Sequence, residues 1–361
     1  MTTVTPAEER TAGGAGRSGP TPSARSGVLK GGWSRGLGLV AATAALVAAA
    51  FGSVLIGNYP VTLADVAAAL SGSPESDVER IILHIRVPRT VTGLLAGIAL
   101  GVAGTVMQGL TRNPLAEPGL LGINSGAALA VVLAMAGFGI TATAGYLWFA
   151  FAGAAVAAVL VYALGSLGLG GATPVKLALA GAAFTALFGA VTSMITLQDS
   201  STMDDYRYWV VGSLTRSDGT DLSVVAPFLL LGVVLAVALT RTLNALALGD
   251  DLARSLGTRL WTNRAVAALA VVLLAGGATA IAGPIGFVGL VVPHVARMIT
   301  GPDYRWVMAW TVVLAPTLLL IADTLGRILL QPQQLQVGII TAIAGAPFFL
   351  YLVRNRRVIG V

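Results

Sequence analysis

The strongest constraint on this chain is the return, ten times along its length, of a nearly uncharged apolar run suited to crossing a bilayer. A membrane-spanning helix needs about 20 predominantly apolar residues, with a range of about 17–25. Such runs lie near 37–56, 90–110, 119–137, 146–168, 175–198, 223–242, 262–282, 284–299, 308–330 and 338–353. In hydrocarbon, every backbone N–H and C=O must find a partner within the segment, so runs of this kind are helices. The chain is therefore expected to be an all-α polytopic membrane protein with about ten transmembrane helices. The 284–299 run is short and is broken by Pro284, Pro293 and several glycines, a pattern tolerated where protein rather than lipid covers the backbone. Charged residues make up only 11% of the chain, against about a quarter in soluble domains, and 45 glycines suit helices packed closely in lipid.

No long polar linker separates the runs, so residues 37–357 read as one membrane domain. Residues 1–36, rich in Thr, Gly, Ser, Pro and Arg, read as a disordered tail, and 358–361 as a short terminus on the same side. The first run is too long for a signal-peptide core and lacks a clear cleavage site, so it is expected to be retained. Sixteen of the 22 Lys and Arg residues fall on the side of the two termini and six on the other. Basic residues gather on the cytoplasmic face, so both termini are expected to be cytoplasmic. The formal charge of +6 then reflects membrane topology and gives no reason to invoke nucleic acid. Cysteine is absent and histidine occurs only at His84 and His294, which leaves few ligands for a bare metal ion.

Between the sixth and seventh runs stands a polar nonapeptide, GDDLARSLG, at residues 249–257. Gly249 suits an N-cap, Asp250 and Asp251 occupy the first turn where the helix dipole favours anions, and Gly257 suits the C′ position. Arg254 follows Asp250 by four residues, a helical pair worth about 0.2–0.5 kcal/mol. Leu248, Leu252, Leu256 and Leu260 recur at every fourth position and form an apolar stripe. The pattern predicts a short amphipathic helix at about 248–258, lying along the cytoplasmic surface. A plain connector with solvated charges is the alternative reading.

Nothing in the chain can hold a nucleotide in a phosphate loop. That loop needs Gly-Lys followed by Ser or Thr, and neither Lys30 nor Lys176 has those neighbours. An ion-coupled carrier would instead place ionisable groups at mid-membrane, and the runs are nearly free of them. Asp323 and Arg327 are four residues apart near the outer end of the ninth run and can pair. Gly93, Gly97 and Gly101 give the second run a small-residue face for helix packing. TRNPLAEPGLLGINSG, 111–126, reads as a cytoplasmic turn and re-entry. Its Arg112 and Glu117 either pair with each other or offer a second cytoplasmic contact. His294 reads as a packing and hydrogen-bonding residue, and His84 as structural. The external segment 200–222 either shapes an outer gate or forms an interfacial aromatic belt.

Four long stretches carry a family resemblance. They are RVPRTVTGLLAGIALGVAGTVMQGLTRNPLAEPGLLGINSGAAL at 86–129, TRTLNALALGDDLARSLGTRL at 240–260, GPIGFVGLVVPHVARMITGPDYR at 283–305, and the region from ADTLGR at 322–327 to VGIITAIAGAPFFLYLVRNRR at 337–357. Together they resemble the permease subunits of ABC importers for iron-siderophores, cobalamin and haem. The resemblance implies the ten-helix fold of a type II importer permease in a bacterial plasma membrane, paired with a second copy or a paralogue. It implies ATPase subunits on the cytoplasmic side, which would hold ATP and Mg, and a substrate-binding protein or lipoprotein outside; the permease itself needs no cofactor. It assigns ATPase coupling to Gly249, Asp250, Asp251, Leu252, Ala253, Arg254, Leu256 and Gly257, and binding-protein docking to Arg86, Arg89 and Arg327, for which interfacial anchoring, or for Arg89 a partner within its own subunit, is the alternative. The implied cargo is a ferric siderophore, with cobalamin and haem as alternatives and an ion-coupled secondary carrier as the reading from another class.

Overall fold

The computed structural model describes residues 27–29, 31–71, 76–168 and 173–354. These residues fold into helices joined by short loops, with no strand among them. In chain order the α-helices are α1 (Gly32–Leu55), α2 (Leu63–Leu70), α3 (Asp77–Ile81), α4 (Val87–Thr111), α5 (Ile123–Phe138), α6 (Thr143–Gly165), α7 (Pro174–Thr196), α8 (Ser200–Val210), α9 (Gly219–Ala238), α10 (Thr240–Ala247), α11 (Asp250–Ser255), α12 (Leu260–Val271), α13 (Gly277–Ala282), α14 (Val288–Thr300), α15 (Tyr304–Leu329) and α16 (Val337–Arg354). π-Helical turns at Ile82–Arg86 and Val272–Gly276 splice α3 to α4 and α12 to α13, giving two continuous rods, Asp77–Thr111 and Leu260–Ala282.

Among the described residues, eight helices are long and apolar enough to cross a membrane, and α5 and α14 are shorter apolar helices. These ten segments stand where the ten apolar runs predict them. Three boundaries differ: the second run starts near 90, but its helical rod already begins at Asp77. The first span begins at Gly32, inside the stretch read as a tail, and just before it the Val28 and Leu29 N–H groups donate to the Met298 and Ile299 carbonyls. The rest of the expected tail, up to residue 26, and the expected terminus at 358–361 lie outside the described residues. The eighth segment is an irregular stretch, 283–287, followed by a helix of only 13 residues with Pro293 inside it.

The α4 helix is the axis of the molecule, buried along almost its whole length between Arg89 and Gly109. Its small residues explain why. A Cβ on Gly93 would meet the Leu320 side chain at 2.7 Å, and one on Gly101 would meet the Ala315 Cβ at 2.5 Å. One on Gly97 would overlap the Pro316 backbone. The missing side chains let α15 seat directly on α4, the packing that lipid favours because burial of apolar surface gives no advantage there. One turn beyond Gly101, Gly104 abuts the Gly289 backbone and brings α14 against the same helix. The α5 and α6 helices pair in a similar way through Gly126 and Gly153. Leucines and valines such as Leu179, Leu187, Leu230, Val234 and Leu350 remain exposed on the outer helices, as lipid-facing positions should.

Because α4 is continuous, it defines two ends. Arg89 lies near its start and Arg112 just past its finish, about 34 Å apart at ~1.5 Å per residue. Every candidate site below belongs to one end or the other.

Candidate functional site

At the Arg112 end, the polar nonapeptide forms the predicted helix, α11. Gly249 holds φ 107° and ψ 156°, a conformation that L side chains rarely adopt, and this turns the chain out of α10. The helix closes on Gly257 at φ 80°, with the Gly257 N–H donating to the Arg254 carbonyl and the Thr258 N–H to that of Ala253. That pair of bonds is a Schellman stop. Both glycines therefore have a backbone reason to be where they are.

The charges pair differently from the expected Asp250–Arg254 link. Arg254 reaches Asp251 instead, at 2.9 Å, on the exposed face. Asp250 turns inward, and its two carboxylate oxygens bridge two other helices: Oδ1 accepts from Arg112 at 3.1 Å and Oδ2 from Arg264 at 2.8 Å. Arg112 follows α4 and Arg264 lies on α12, so one carboxylate ties α11 to the second and seventh spans. Arg112 thus pairs with Asp250 rather than with Glu117, and stays partly exposed. The leucine stripe is also not a buried face of this chain. Ala253 is the buried residue, whereas Leu252 and Leu256 are 56% and 65% exposed, as is Trp261 at 80%. A cluster of exposed large apolar side chains beside fixed charges has the composition of a partner surface.

A second tie at this end escaped the sequence reading. Asn244 on α10 donates to Asp303 Oδ1 at 2.8 Å and accepts from the Tyr304 N–H at 2.9 Å, while Asp303 caps α15 through the Arg305 N–H. The α10–α11 arm is thereby fastened to the start of α15 as well. The available signal was an amide within the TRTLNALA helix and an aspartate immediately before a long apolar run.

At the opposite end, Arg86, Arg89 and Arg327 come together, as their joint assignment requires, but they are not presented to the surroundings. They are 4%, 7% and 2% exposed. Arg89 grips Asp323 with two nitrogens, Nε at 2.8 Å and Nη2 at 2.8 Å, and donates to Gln334. Arg327 pairs with the same carboxylate at 3.2 Å, as its spacing allowed, and donates to the Ser53 and Ile56 carbonyls. Arg86 donates to the carbonyls of Val54, Leu55 and Tyr59. Arg86 and Arg327 thus satisfy the orphan carbonyls at the end of α1. Arg89 and Arg327 share one carboxylate, Arg86 is held by backbone carbonyls, and all three guanidiniums line a single cavity with Tyr59, Ile85 and Gln334.

Glu117 lies in the connector before α5, and its carboxylate accepts from the Phe287 N–H at 2.7 Å. Phe287, with φ 69°, is the residue just before α14, so Glu117 fixes the entry of the chain into that short helix. Burial pushes the Glu117 carboxyl up to about 7, against the Phe287 N–H, which favours the charged form. His294 packs edge-on against Phe348, with ring centres 6.1 Å apart. Neither of its ring nitrogens has a hydrogen-bond partner among the described residues, which corrects the expected hydrogen-bonding role. His84 is exposed on the first π-helical turn. In the 200–222 segment Trp209 is buried rather than interfacial, and the Ser213 N–H donates to the Ala282 carbonyl, which pins this segment to the end of α13.

The family model described as the FecCD transport family matches residues 45–355. The chain is 45% identical, over 304 residues, to the ferric enterobactin transport system permease protein FepD of Escherichia coli (strain K12), covering 84% of this chain and 91% of that one. It is 39% identical over 282 residues to the hemin transport system permease protein HmuU of Yersinia pestis, covering 77% and 84%. It is 38% identical over 310 residues to the cobalamin import system permease protein BtuC of Halobacterium salinarum, covering 84% and 82%. A solved structure described as an inward-facing, metal-chelate type ABC transporter superposes with a TM-score of 0.77 at 28% identity, covering 89% of this chain and 99% of that one.

Proposed function

Because the chain belongs to the FecCD transport family, we propose that it is the permease through which an ABC importer brings a ferric siderophore into the cell. The supporting observation for an iron chelate is the 45% identity to the ferric enterobactin permease, against 39% and 38% for the hemin and cobalamin relatives. Membership in the family implies ATPase and binding-protein partners and a place in the inner membrane.

The α11 end faces the cytoplasm and meets the ATPase. Leu252, Leu256 and Trp261 form the apolar part of that contact, and Asp251 and Arg254 supply a rim whose charges tune encounter more than affinity. Movement of the ATPase, which carries ATP and Mg, displaces α11. Asp250 relays the displacement to Arg112 and Arg264, and Asn244 relays it to α15. Spans two, seven and nine then rock between two access states. Any metal crosses already chelated, and this subunit needs no cofactor. A second permease copy or a paralogue completes the pathway.

The arginine end faces outward and receives the binding protein. Three guanidiniums line its cavity while one carboxylate, Asp323, pairs with two of them, so an acidic side chain entering from a partner would neutralise surplus positive charge. The arginines then have two duties, closing the end of α1 and presenting a positive field through a shallow opening. In this reading docking depends on field rather than on exposed side chains, and it weakens with salt.

The test is uptake in a strain deleted for this gene and complemented with the wild-type chain, using labelled iron on a panel of chelators beside labelled cobalamin and haem. Restored uptake of at least one ferric chelate, with cobalamin and haem uptake unaltered, is expected. Restoration of cobalamin or haem alone would overturn the cargo assignment and leave the permease standing.

A further inference from the structure

Beside the Asp250 tether, a groove of about 100 Å³ opens to its surroundings. Its wall is apolar and comes from several helices, with Met107 and Leu110 on α4, Ile123 on α5, Leu177 on α7 and Val271 on α12. Arg112, Arg264 and Tyr162 line the same groove. We propose that it binds one anionic phospholipid, with the phosphate on the Arg112 and Arg264 guanidiniums and part of an acyl chain along the apolar wall.

The charge balance supports an anion. Each arginine donates a single bond to Asp250, so two positive charges share one negative charge. A guanidinium has five N–H donors, which leaves four on each for a phosphate. Both side chains are partly exposed, so a headgroup can reach them without unfolding anything. The wall supports a lipid rather than a soluble anion. It is built from helices that cross the membrane, and the arginines sit where α4 and α12 leave it, the depth of headgroups. Basic pockets between spans at that depth select anionic lipids, because a zwitterionic headgroup brings a cation of its own against the arginines. The phosphate also competes with Asp250 for both guanidiniums. Lipid occupancy therefore loosens the tether of α11 to α4 and α12. None of this rests on the cargo or on the partner subunits.

The experiment is native mass spectrometry of the full chain in detergent, titrated with phosphatidylglycerol or phosphatidylcholine. The wild type should retain phosphatidylglycerol about tenfold better, the order expected for two arginines near a headgroup. The double variant Arg112→Gln/Arg264→Gln should bring it down to the phosphatidylcholine level. Asp250→Asn frees both guanidiniums without removing either, and should raise phosphatidylglycerol retention several-fold. Equal retention of the two lipids by the wild type would overturn the site. Unchanged phosphatidylglycerol binding in the folded double variant would do the same, and if that variant does not fold, Asp250→Asn with no gain remains decisive against it.

Discussion

Replacing Asp323 by Asn tests how the arginine end is held together. The substitution keeps the shape and one acceptor but removes the carboxylate charge on which Arg89 and Arg327 converge. All three side chains are buried. Removing one partner of a buried pair typically costs about 3–5 kcal/mol, because the remaining charge loses its compensation. Here two guanidiniums lose it together, while the adjoining cavity lets water offset part of the loss. A destabilisation of about 3 kcal/mol follows, roughly a hundredfold in the folded-to-unfolded ratio. Denaturant unfolding of the full chain in mixed micelles measures it, with Asp251→Asn as the control. Asp251 sits in an exposed pair, so its loss should cost no more than about 1 kcal/mol. Docking should move in the opposite direction. The variant has three guanidiniums and no carboxylate, so the binding protein should dock more tightly at low salt even as stability falls. An Asp323→Asn chain as stable as the control would refute the buried triad. A destabilised chain with weaker or unchanged docking would refute the surplus-charge account alone.

Gly104→Ala adds a methyl whose nearest neighbours are the Gly289 backbone atoms, its Cα and carbonyl carbon at 2.5 Å, so α14 must shift. A loss of about 1–3 kcal/mol or more is expected in the same unfolding assay, and a neutral result would show that α14 does not rest on α4 as described. Glu117, pushed up to about 7, binds its proton more tightly in the folded state than at its ordinary 4.5. Its contribution to stability is therefore full below 4.5 and is lost as pH rises to about 7. Melting curves across pH 5–8 should show that decline in the wild type and not in Glu117→Gln; matching curves would exclude Glu117 as the source. Changing Asp251 and Arg254 together to Ala should leave membrane insertion intact and lower transport-coupled ATPase activity in the reconstituted importer. Normal coupling would remove those two residues from the contact. A cysteine at position 254 should resist an impermeant maleimide in intact cells and react in inverted vesicles, and the reverse would turn the topology inside out.

The spans were legible because a bilayer imposes one length and one periodic structure on any run that crosses it, and no tertiary context overrides that requirement. The glycine faces of α4 were legible for a related reason, since only small residues permit helices in lipid to approach so closely. What the sequence could not supply was the choice of partner for each charge. Spacing alone favours Arg254 for Asp250, yet the two turns of glycine geometry around α11 rotate Asp250 toward Arg112 and Arg264 and leave Arg254 to Asp251. Those partners are more than 100 and 14 residues away, beyond any local rule. At the arginine end, spacing offered only the Asp323–Arg327 pair; the end of α1 exposes carbonyls that nothing local can satisfy, and guanidiniums from distant helices are suited to closing them. The same logic separates the two ends by physical kind. At the arginine end the charges are buried and fixed, so a partner can only respond to their field. At the α11 end they are partly exposed and shared, so a partner or a lipid can redistribute them. A device that transmits movement needs the second arrangement where it is pushed and the first where it must hold still.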